Sequence, residues 1–257
     1  AGPALLVSQR EVAAALQDPV AVAVEQPSVI ASVPVVDAPT RIRGCCVFGM
    51  DLKAKVGAVR VPGFEIGNIT SVEALGPNEY DNGNLTLRAG TKHKVVLENN
   101  GLIYTCRGGF IDTAHIRDNA DRVLYAAMQL QRWLPKANAD GTVIDFPDEG
   151  TARRVTIKPI PPAVLQRLGR ARTSALLAGW IGYQLSVWHE IVTWYGWEST
   201  RGFSERLSGF SPEDPYSNLL GVRIAMGIIE TKDAMSRDEY NHAMDAWIPA
   251  ALARLVA

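Results

Sequence analysis

The chain lacks an excess of charge of either sign. Its 257 residues include 26 basic and 27 acidic side chains, a formal net charge of −1, without a long run of like charge. Proteins that bind nucleic acid or an anionic membrane through electrostatics need a basic patch, so the composition argues against both partners. Small neutral or polar ligands fit this charge balance better.

Long hydrophobic runs, internal repeats and low-complexity tracts are also missing. The most apolar helical segment, residues 175–188, is interrupted by glycine and polar residues and is shorter than the roughly 20 residues of a membrane span. We therefore predict a buried helix there and no transmembrane span. The chain begins at Ala1 without a cleavable targeting segment, which we interpret as a mature or a shortened form rather than a precursor.

Cysteine is scarce. Cys45 and Cys46 are adjacent and Cys106 stands alone. Neighbouring cysteines rarely pair with each other, so in an oxidising compartment a bridge from Cys106 to one of the other two is favoured, which leaves an odd thiol. Three reduced cysteines in a cytosolic protein are the alternative, and composition does not choose between them.

The periodic segments of the chain predict the α+β class, with strands first and helices later. We assign residues 1–40 to an extended N-terminal arm with a short helix and residues 41–257 to a single domain, in which a strand-rich N-terminal half packs on a helical C-terminal half. Strand-like pieces are predicted over 42–48, 56–61, 65–72 and 94–98 and a hairpin over 141–157. Helices are predicted over 114–134, 163–168, 173–195, 216–231 and 240–256.

Residues 101–122 form the most chemically dense stretch. A short strand pattern leads into a glycine pair, and Asp112 or Thr113 can cap a helix that carries His115 and Asp118. This pattern predicts a site at a strand-to-helix junction, although an ordinary capped helix start would have the same residues.

A second polar group lies on the predicted helix over 173–195. Ser186, His189, Glu190 and Thr193 are spaced by three and four, so they share one stripe of an otherwise apolar segment. Burying an unpaired carboxylate costs several kcal/mol, so Glu190 needs an ion pair, a hydrogen bond, a proton or a metal. We predict that His115, His189 and Glu190 hold a divalent metal such as zinc or share acid/base duty.

Two other interpretations of this stripe remain open. The first is a structural network in which Arg107, Arg117 or Arg122 neutralises Glu190. The second is a zinc peptidase, but Thr193 stands where that motif has its second histidine, and the further ligands would have to come from His115, Glu213 or Asp214.

Aromatic residues flank the His-Glu pair, including Trp194 and Tyr195. Aromatic side chains beside carboxylates suit the flat faces of sugars, whereas at helical spacing they also form ordinary cores. The two interpretations differ in the exposure of these rings.

Four runs of residues resemble a known family. They are RGCCVFG at 43–49, NGLIYTCRGGFIDTAHIRD at 100–118, WHEIVTWYG at 188–196 and FSPEDPYSNLLG at 210–221. The chain is similar in these runs to an uncharacterised bacterial family, domain of unknown function four thousand and fifty-six, many of whose members look like exported lipoproteins.

The resemblance implies an exported, periplasmic or cell-envelope protein, and hence favours a disulfide from Cys106 to Cys45 or Cys46, with Cys46 as the working partner. It implies a possible lipid anchor in the precursor, although this chain lacks the N-terminal cysteine for one. It also draws attention to Glu213, Asp214, Tyr216 and Asn218.

The leading hypothesis is a periplasmic hydrolase that acts on a cell-envelope carbohydrate or peptide-sugar polymer. The predicted catalytic residues are Glu190, His115, His189, Asp118 and Glu213, and the predicted substrate-binding residues are Trp194, Tyr195, Arg107, Tyr216 and Asn218. The alternative is a non-catalytic envelope lipoprotein that binds a glycan or a protein partner through its aromatic residues.

Overall fold

A computed structural model describes residues 9–16, 33–43, 51–56, 59–67, 69–82, 97–136, 141–147, 152–196, 206, 208–231 and 234–257. The helices are α1 (Gln9–Leu16), α2 (Thr113–Trp133), α3 (Pro162–Trp194), α4 (Glu213–Thr231) and α5 (Arg237–Arg254). The strands are β1 (Asp51–Val56), β2 (Val59–Gly67), β3 (Leu102–Thr105), β4 (Gly109–Asp112), β5 (Thr142–Phe146) and β6 (Arg153–Ile157). No helix in these ranges is long and apolar enough to cross a membrane.

Helix α2 is the centre of the molecule. Every residue from 113 to 128 is buried, because α3 and α4 pack along it and Tyr240 of α5 reaches its Asp121. Small residues allow the helices to approach closely: a Cβ on Gly182 of α3 would lie 2.6 Å from Val123 Cγ2. Helix α4 also contacts α1, α3 and α5. The core is therefore a helical assembly around α2.

The helix predictions agree well with the structure. The two helices predicted over 163–168 and 173–195 are one continuous run with a kink at Gly169, whose φ of 71° suits glycine. A capping box opens α5: Ser236 Oγ accepts a hydrogen bond from Glu239 N, and the Glu239 carboxylate accepts one from Ser236 N.

The strands form three separate antiparallel hairpins rather than one layer. They pair as β1–β2, β3–β4 and β5–β6, with β3 and β4 joined in register from Leu102–Asp112 to Thr105–Gly109. The chain does mix helices with small antiparallel sheets, but the predicted strand-rich N-terminal half is wrong. The described strands of that half form local hairpins, joined by an isolated parallel bridge between Ile69 and Leu102, while the buried helix α2 occupies the centre.

A buried arginine joins the segment 33–43 to this core. Arg43 Nε lies 2.6 Å from Glu98 Oε2, and its Nη1 lies 2.8 Å from both Asp118 Oδ1 and Asp121 Oδ2. Burial alone would lower the Arg43 pKa, but the carboxylates Asp121, Glu98 and Asp118 outweigh it and raise that pKa well above its usual value. We call these four residues the arginine cluster.

Candidate metal centre

The junction between β4 and α2 is fixed by hydrogen bonds from both sides. Asp112 is the N-cap of α2 and accepts a 2.8 Å hydrogen bond from Ala114 N. Its own backbone N donates to Ser217 Oγ of α4 at 2.8 Å. The predicted strand-to-helix junction is present, and it places His115 in the first buried turn of α2.

Helix α4 brings a second acidic residue to this junction. Asp214 is buried in the first turn of α4, where its amide donates to Ser211 O at 3.0 Å. One turn further on, Asn218 Oδ1 accepts a 2.5 Å hydrogen bond from Asn119 Nδ2 of α2. As a result, Asp214 Oδ1 lies 3.1 Å from His115 Nε2.

Asp112, His115 and Asp214 form a compact set of metal-ligating groups, which we call the ligand triad. One ligand atom from each side chain lies within 4.8 Å of the others, and all three residues are buried. Two ligands about 2.0–2.1 Å from a tetrahedral metal stand about 3.3 Å apart. The 3.1 Å between His115 Nε2 and Asp214 Oδ1 therefore suits either a hydrogen bond or a shared cation.

The polar stripe of α3 borders the ligand triad. The rings of His189 and His115 have centroids 6.1 Å apart and cross at 65°. Two imidazoles on one tetrahedral zinc would have centroids about 5 Å apart, given metal-nitrogen distances of about 2.0–2.1 Å. His189 thus stands beside the compact set and outside it.

Glu190 is the buried carboxylate of this stripe, with 3% of its surface exposed. Its Oε2 accepts a 2.8 Å hydrogen bond from Phe210 N, whereas its Oε1 has no hydrogen-bond partner among the described residues. Burial raises the pKa of Glu190, and the nearby Asp214 carboxylate raises it further. His115, the Phe210 amide and His189 act in the opposite direction and lower that pKa, but by less. The carboxyl is therefore suited to carrying a proton.

An aromatic rim borders Glu190 on the solvent side. Trp194 is 48% exposed and its ring centroid lies 6.5 Å from that of Phe210, the residue whose amide binds Glu190. The Arg206 guanidinium lies 5.5 Å from the Trp194 ring centroid, and Tyr195 is 85% exposed. Exposure at both predicted aromatic positions favours a binding surface over an ordinary core.

The arginine alternative for Glu190 does not match this geometry. Arg117 donates to Glu98 O, Asn100 Oδ1 and Gly76 O, so it belongs to the opposite side of α2. Arg107 is exposed on the β3–β4 turn. Arg122 acts on the pKa of Asp118, and the groups that act most strongly on the Glu190 pKa, besides burial, are His115, Asp214, the Phe210 amide and His189.

The other predicted site residues lie in different places. Asp118 belongs to the arginine cluster, where its carboxylate accepts from Arg43 N and Arg43 Nη1 and is not grouped with the histidines. Its inclusion in the site followed from its helical spacing to His115, which says nothing about Arg43. Glu213 is half-buried at the start of α4, and Asn218 is a buried partner of Asn119.

The disulfide prediction concerns residues that are only partly described. Cys106 is exposed and has no disulfide partner among the described residues. Cys45 and Cys46 lie outside the described residues, so the Cys46–Cys106 bridge stays a prediction.

The comparison with protein families covers most of the chain. Residues 33–257 match the model of a family described as a protein of unknown function, DUF4056. The chain belongs to this family. Comparison of this DUF4056 member with curated proteins and with solved structures gives no significant match.

Sequence reasoning did not select Asp112 and Asp214 as members of one site. Asp112 has the sequence signature of a helix cap, and it does cap α2. This role gave no reason to consider its carboxylate as a metal ligand as well. Asp214 lies in a conventional acidic helix start. The periodicity of α4 held a usable signal, since Asp214, Asn218 and Gly221 fall on one face together.

Proposed function

We propose that this DUF4056 protein is a metal-dependent hydrolase whose divalent cation, with zinc as the first candidate, is held by the ligand triad. The observation that carries the proposal is the burial of Asp112, His115 and Asp214 with ligand atoms within 4.8 Å of one another. A mixed nitrogen and oxygen donor set of this kind suits zinc, and three protein ligands leave a position for water.

The chemistry of the neighbouring residues supports hydrolysis. A cation in the ligand triad would lower the pKa of a bound water and polarise the substrate. Glu190 would be the general base for that water, with Oε1 to accept a proton and Oε2 held by the Phe210 amide. His189 stands against His115, where it positions that imidazole or binds the substrate.

The export implied by the family resemblance, together with the aromatic rim, supports the choice of substrate class. We propose an exported protein of the bacterial cell envelope that cleaves a carbohydrate or peptide-sugar polymer. Trp194 offers an exposed ring next to Phe210, whose amide binds Glu190, and Tyr195 offers a second exposed ring at the end of α3. Such rings stack on sugar faces. A lipid anchor in the precursor would keep the enzyme close to that polymer.

Metal analysis tests the centre directly. The purified protein, stripped with chelator and titrated with zinc in a calorimeter, should bind one equivalent, and His115→Gln and Asp214→Asn should each weaken binding at least about tenfold. His242→Gln, on an exposed histidine of α5, is the matched control and should leave binding unchanged. Binding that is absent, or that survives both substitutions in folded protein, overturns the proposal.

Release of soluble fragments from purified envelope polymer tests the reaction. We expect fragments from the zinc-loaded protein and none after chelation. Zinc binding by the ligand triad without any fragment release from glycan or peptide-glycan polymers would reject the substrate class while leaving the centre in place.

A non-catalytic binding protein is the second candidate, favoured by the exposure of Trp194 and Tyr195. On this hypothesis Trp194→Ala and Tyr195→Ala abolish sedimentation with the envelope polymer, and substitutions in the ligand triad do not. If substitutions in the ligand triad abolish fragment release while Trp194→Ala and Tyr195→Ala do not, the protein is the hydrolase and not the binding protein.

A further inference from the structure

A groove on the far side of α4 combines arginine and leucine side chains. It has a volume of about 350 Å³ and lies between α1, α4, the end of α5 and the β3–β4 turn. Arg107, Arg223 and Arg254 line it, together with Ala13, Leu16, Tyr216, Leu219, Leu220 and Leu255. We call it the arginine groove. It lies outside the ligand triad, and two of the predicted substrate-binding residues, Arg107 and Tyr216, fall in it.

The walls of the groove are held by specific contacts. Cys106 N and Arg107 N donate to the carbonyl oxygens of Val256 and Leu255 at 3.0 and 3.1 Å, which fixes the turn against the end of α5. Gly108 lets the Tyr216 ring pack onto the turn, since a Cβ there would lie 2.9 Å from the ring. The groove is thus formed by ordered backbone.

The charge of the groove selects the class of ligand. Three guanidinium groups and no carboxylate occur among the described residues that line it. Glu230, an acid whose pKa Arg223 acts to lower, is not one of them. Arginine binds phosphate and carboxylate through paired hydrogen bonds, and the leucines and Tyr216 offer an apolar surface beside those donors.

We propose that the arginine groove binds a small amphipathic anion, with a phosphate or carboxylate head on the arginines and a short apolar portion on Leu219 and Leu220. The volume is within the range of small-molecule sites, about 300–1,000 Å³. A free molecule suits the groove better than a membrane lipid, because the chain as a whole has a net charge of −1 and no basic run. This proposal does not depend on the proposed hydrolase.

Calorimetry with three probes tests the groove. Octyl phosphate has both the anionic head and the apolar portion of the proposed ligand. Inorganic phosphate has only the head, and octanol has only the apolar portion. We expect octyl phosphate to bind the full chain at least about tenfold more tightly than either of the others, and more weakly at high salt. Equal affinities for octyl phosphate and octanol, or no binding of octyl phosphate at low salt, would overturn the proposal.

Substitutions locate the binding. Arg107 and Arg254 are both exposed, so Arg107→Gln and Arg254→Gln should preserve the fold. The double variant should bind octyl phosphate at least about tenfold more weakly than the unmodified protein. Arg167→Gln, on an exposed arginine of α3 outside the groove, is the matched control. Leu219→Gln should lower the affinity for octyl phosphate without changing the affinity for inorganic phosphate. Full affinity in the double variant would reject the site.

Vesicles distinguish a free ligand from a membrane lipid. Vesicles of phosphatidylcholine with phosphatidic acid should not sediment the protein. Sedimentation that is lost in the Arg107→Gln, Arg254→Gln variant would overturn the assignment to a free amphiphile. Zinc binding by that variant should match the unmodified protein, which separates this test from that of the ligand triad.

Discussion

Gly221 of α4 approaches α2 so closely that a Cβ at this position would lie 2.2 Å from the Ile116 carbonyl oxygen. Ile116 follows His115, and Gly221 is on the same face of α4 as Asp214. The contact therefore sets the spacing of the two helices that carry the ligand triad, and a change in it should alter both stability and the metal centre.

Gly221→Ala should lower the free energy of unfolding by about 1–3 kcal/mol, because the methyl group meets rigid backbone. It should also weaken zinc binding. Gly179→Ala is the matched control: its Cβ would lie 2.3 Å from Met226 Sδ, a flexible side chain that can move away. Urea denaturation of both variants measures the difference. A Gly179→Ala variant that is equally or more destabilised would contradict this account of the α2–α4 contact.

Arg43→Met should lower the free energy of unfolding by about 3–5 kcal/mol, because it leaves buried carboxylates without their cation. Glu98 shows the dependence: burial would raise its pKa, but the charge and hydrogen bonds of Arg43, with Arg117, lower it. Arg154→Met removes an exposed pair with Asp145 and should leave the urea midpoint unchanged. Similar midpoints for the two variants would show that the arginine cluster contributes little.

The arginine cluster should also make stability depend on pH. Burial raises the pKa of Asp121 to about 6, since Arg43 is shared among three carboxylates and lowers that pKa less than burial raises it. The folded state then keeps a proton that the unfolded chain loses near pH 3.9, so this group's contribution to stability falls as pH rises from about 4 to 6.

Asp121→Asn removes that titration. Relative to the variant, the unmodified protein should lose up to about 3 kcal/mol of unfolding free energy between about pH 4 and 6. Urea denaturation of both proteins across this range measures the difference. If the free energy of unfolding of the unmodified protein instead rises relative to that of the variant as pH rises, the Asp121 pKa is lowered in the folded state.

Glu190→Gln should abolish fragment release, with a loss of at least about a hundredfold, while the fold and zinc binding remain. The amide keeps an oxygen for the Phe210 hydrogen bond but cannot accept the water proton. Glu73→Gln, on an exposed acid of the short 3-10 helix Val72–Ala74, is the matched control. Unchanged turnover in Glu190→Gln on a cleaved polymer would remove Glu190 from the mechanism.

Local signals predicted the helices better than they predicted the site. The Ser236–Glu239 capping box and the Asp112 cap depend on residues within one turn, so the sequence reveals them directly. The kink of α3 was also predictable, because Gly169 separates two apolar segments. Each of these features is decided by near neighbours in the chain.

The partners of the charged residues depend on contacts that are distant in sequence. Asp118 lies one turn from His115, yet its carboxylate is bound by Arg43, which is 75 residues away. Asp214 reaches His115 only because α4 packs tightly against α2 at Gly221. No periodicity encodes such pairings, and so His115 could be foreseen as a member of the ligand triad, whereas its partners Asp112 and Asp214 could not.

The hydrogen bond from the Phe210 amide to Glu190 has an optical consequence. Phe210 also packs near Trp194, whose indole is faced by Arg206, so a ligand that displaces Phe210 changes the surroundings of the Trp194 indole. Subtracting the spectrum of the Trp194→Phe variant isolates the fluorescence emission of Trp194. This emission can therefore report ligand binding near the Glu190 carboxylate in real time, without a label.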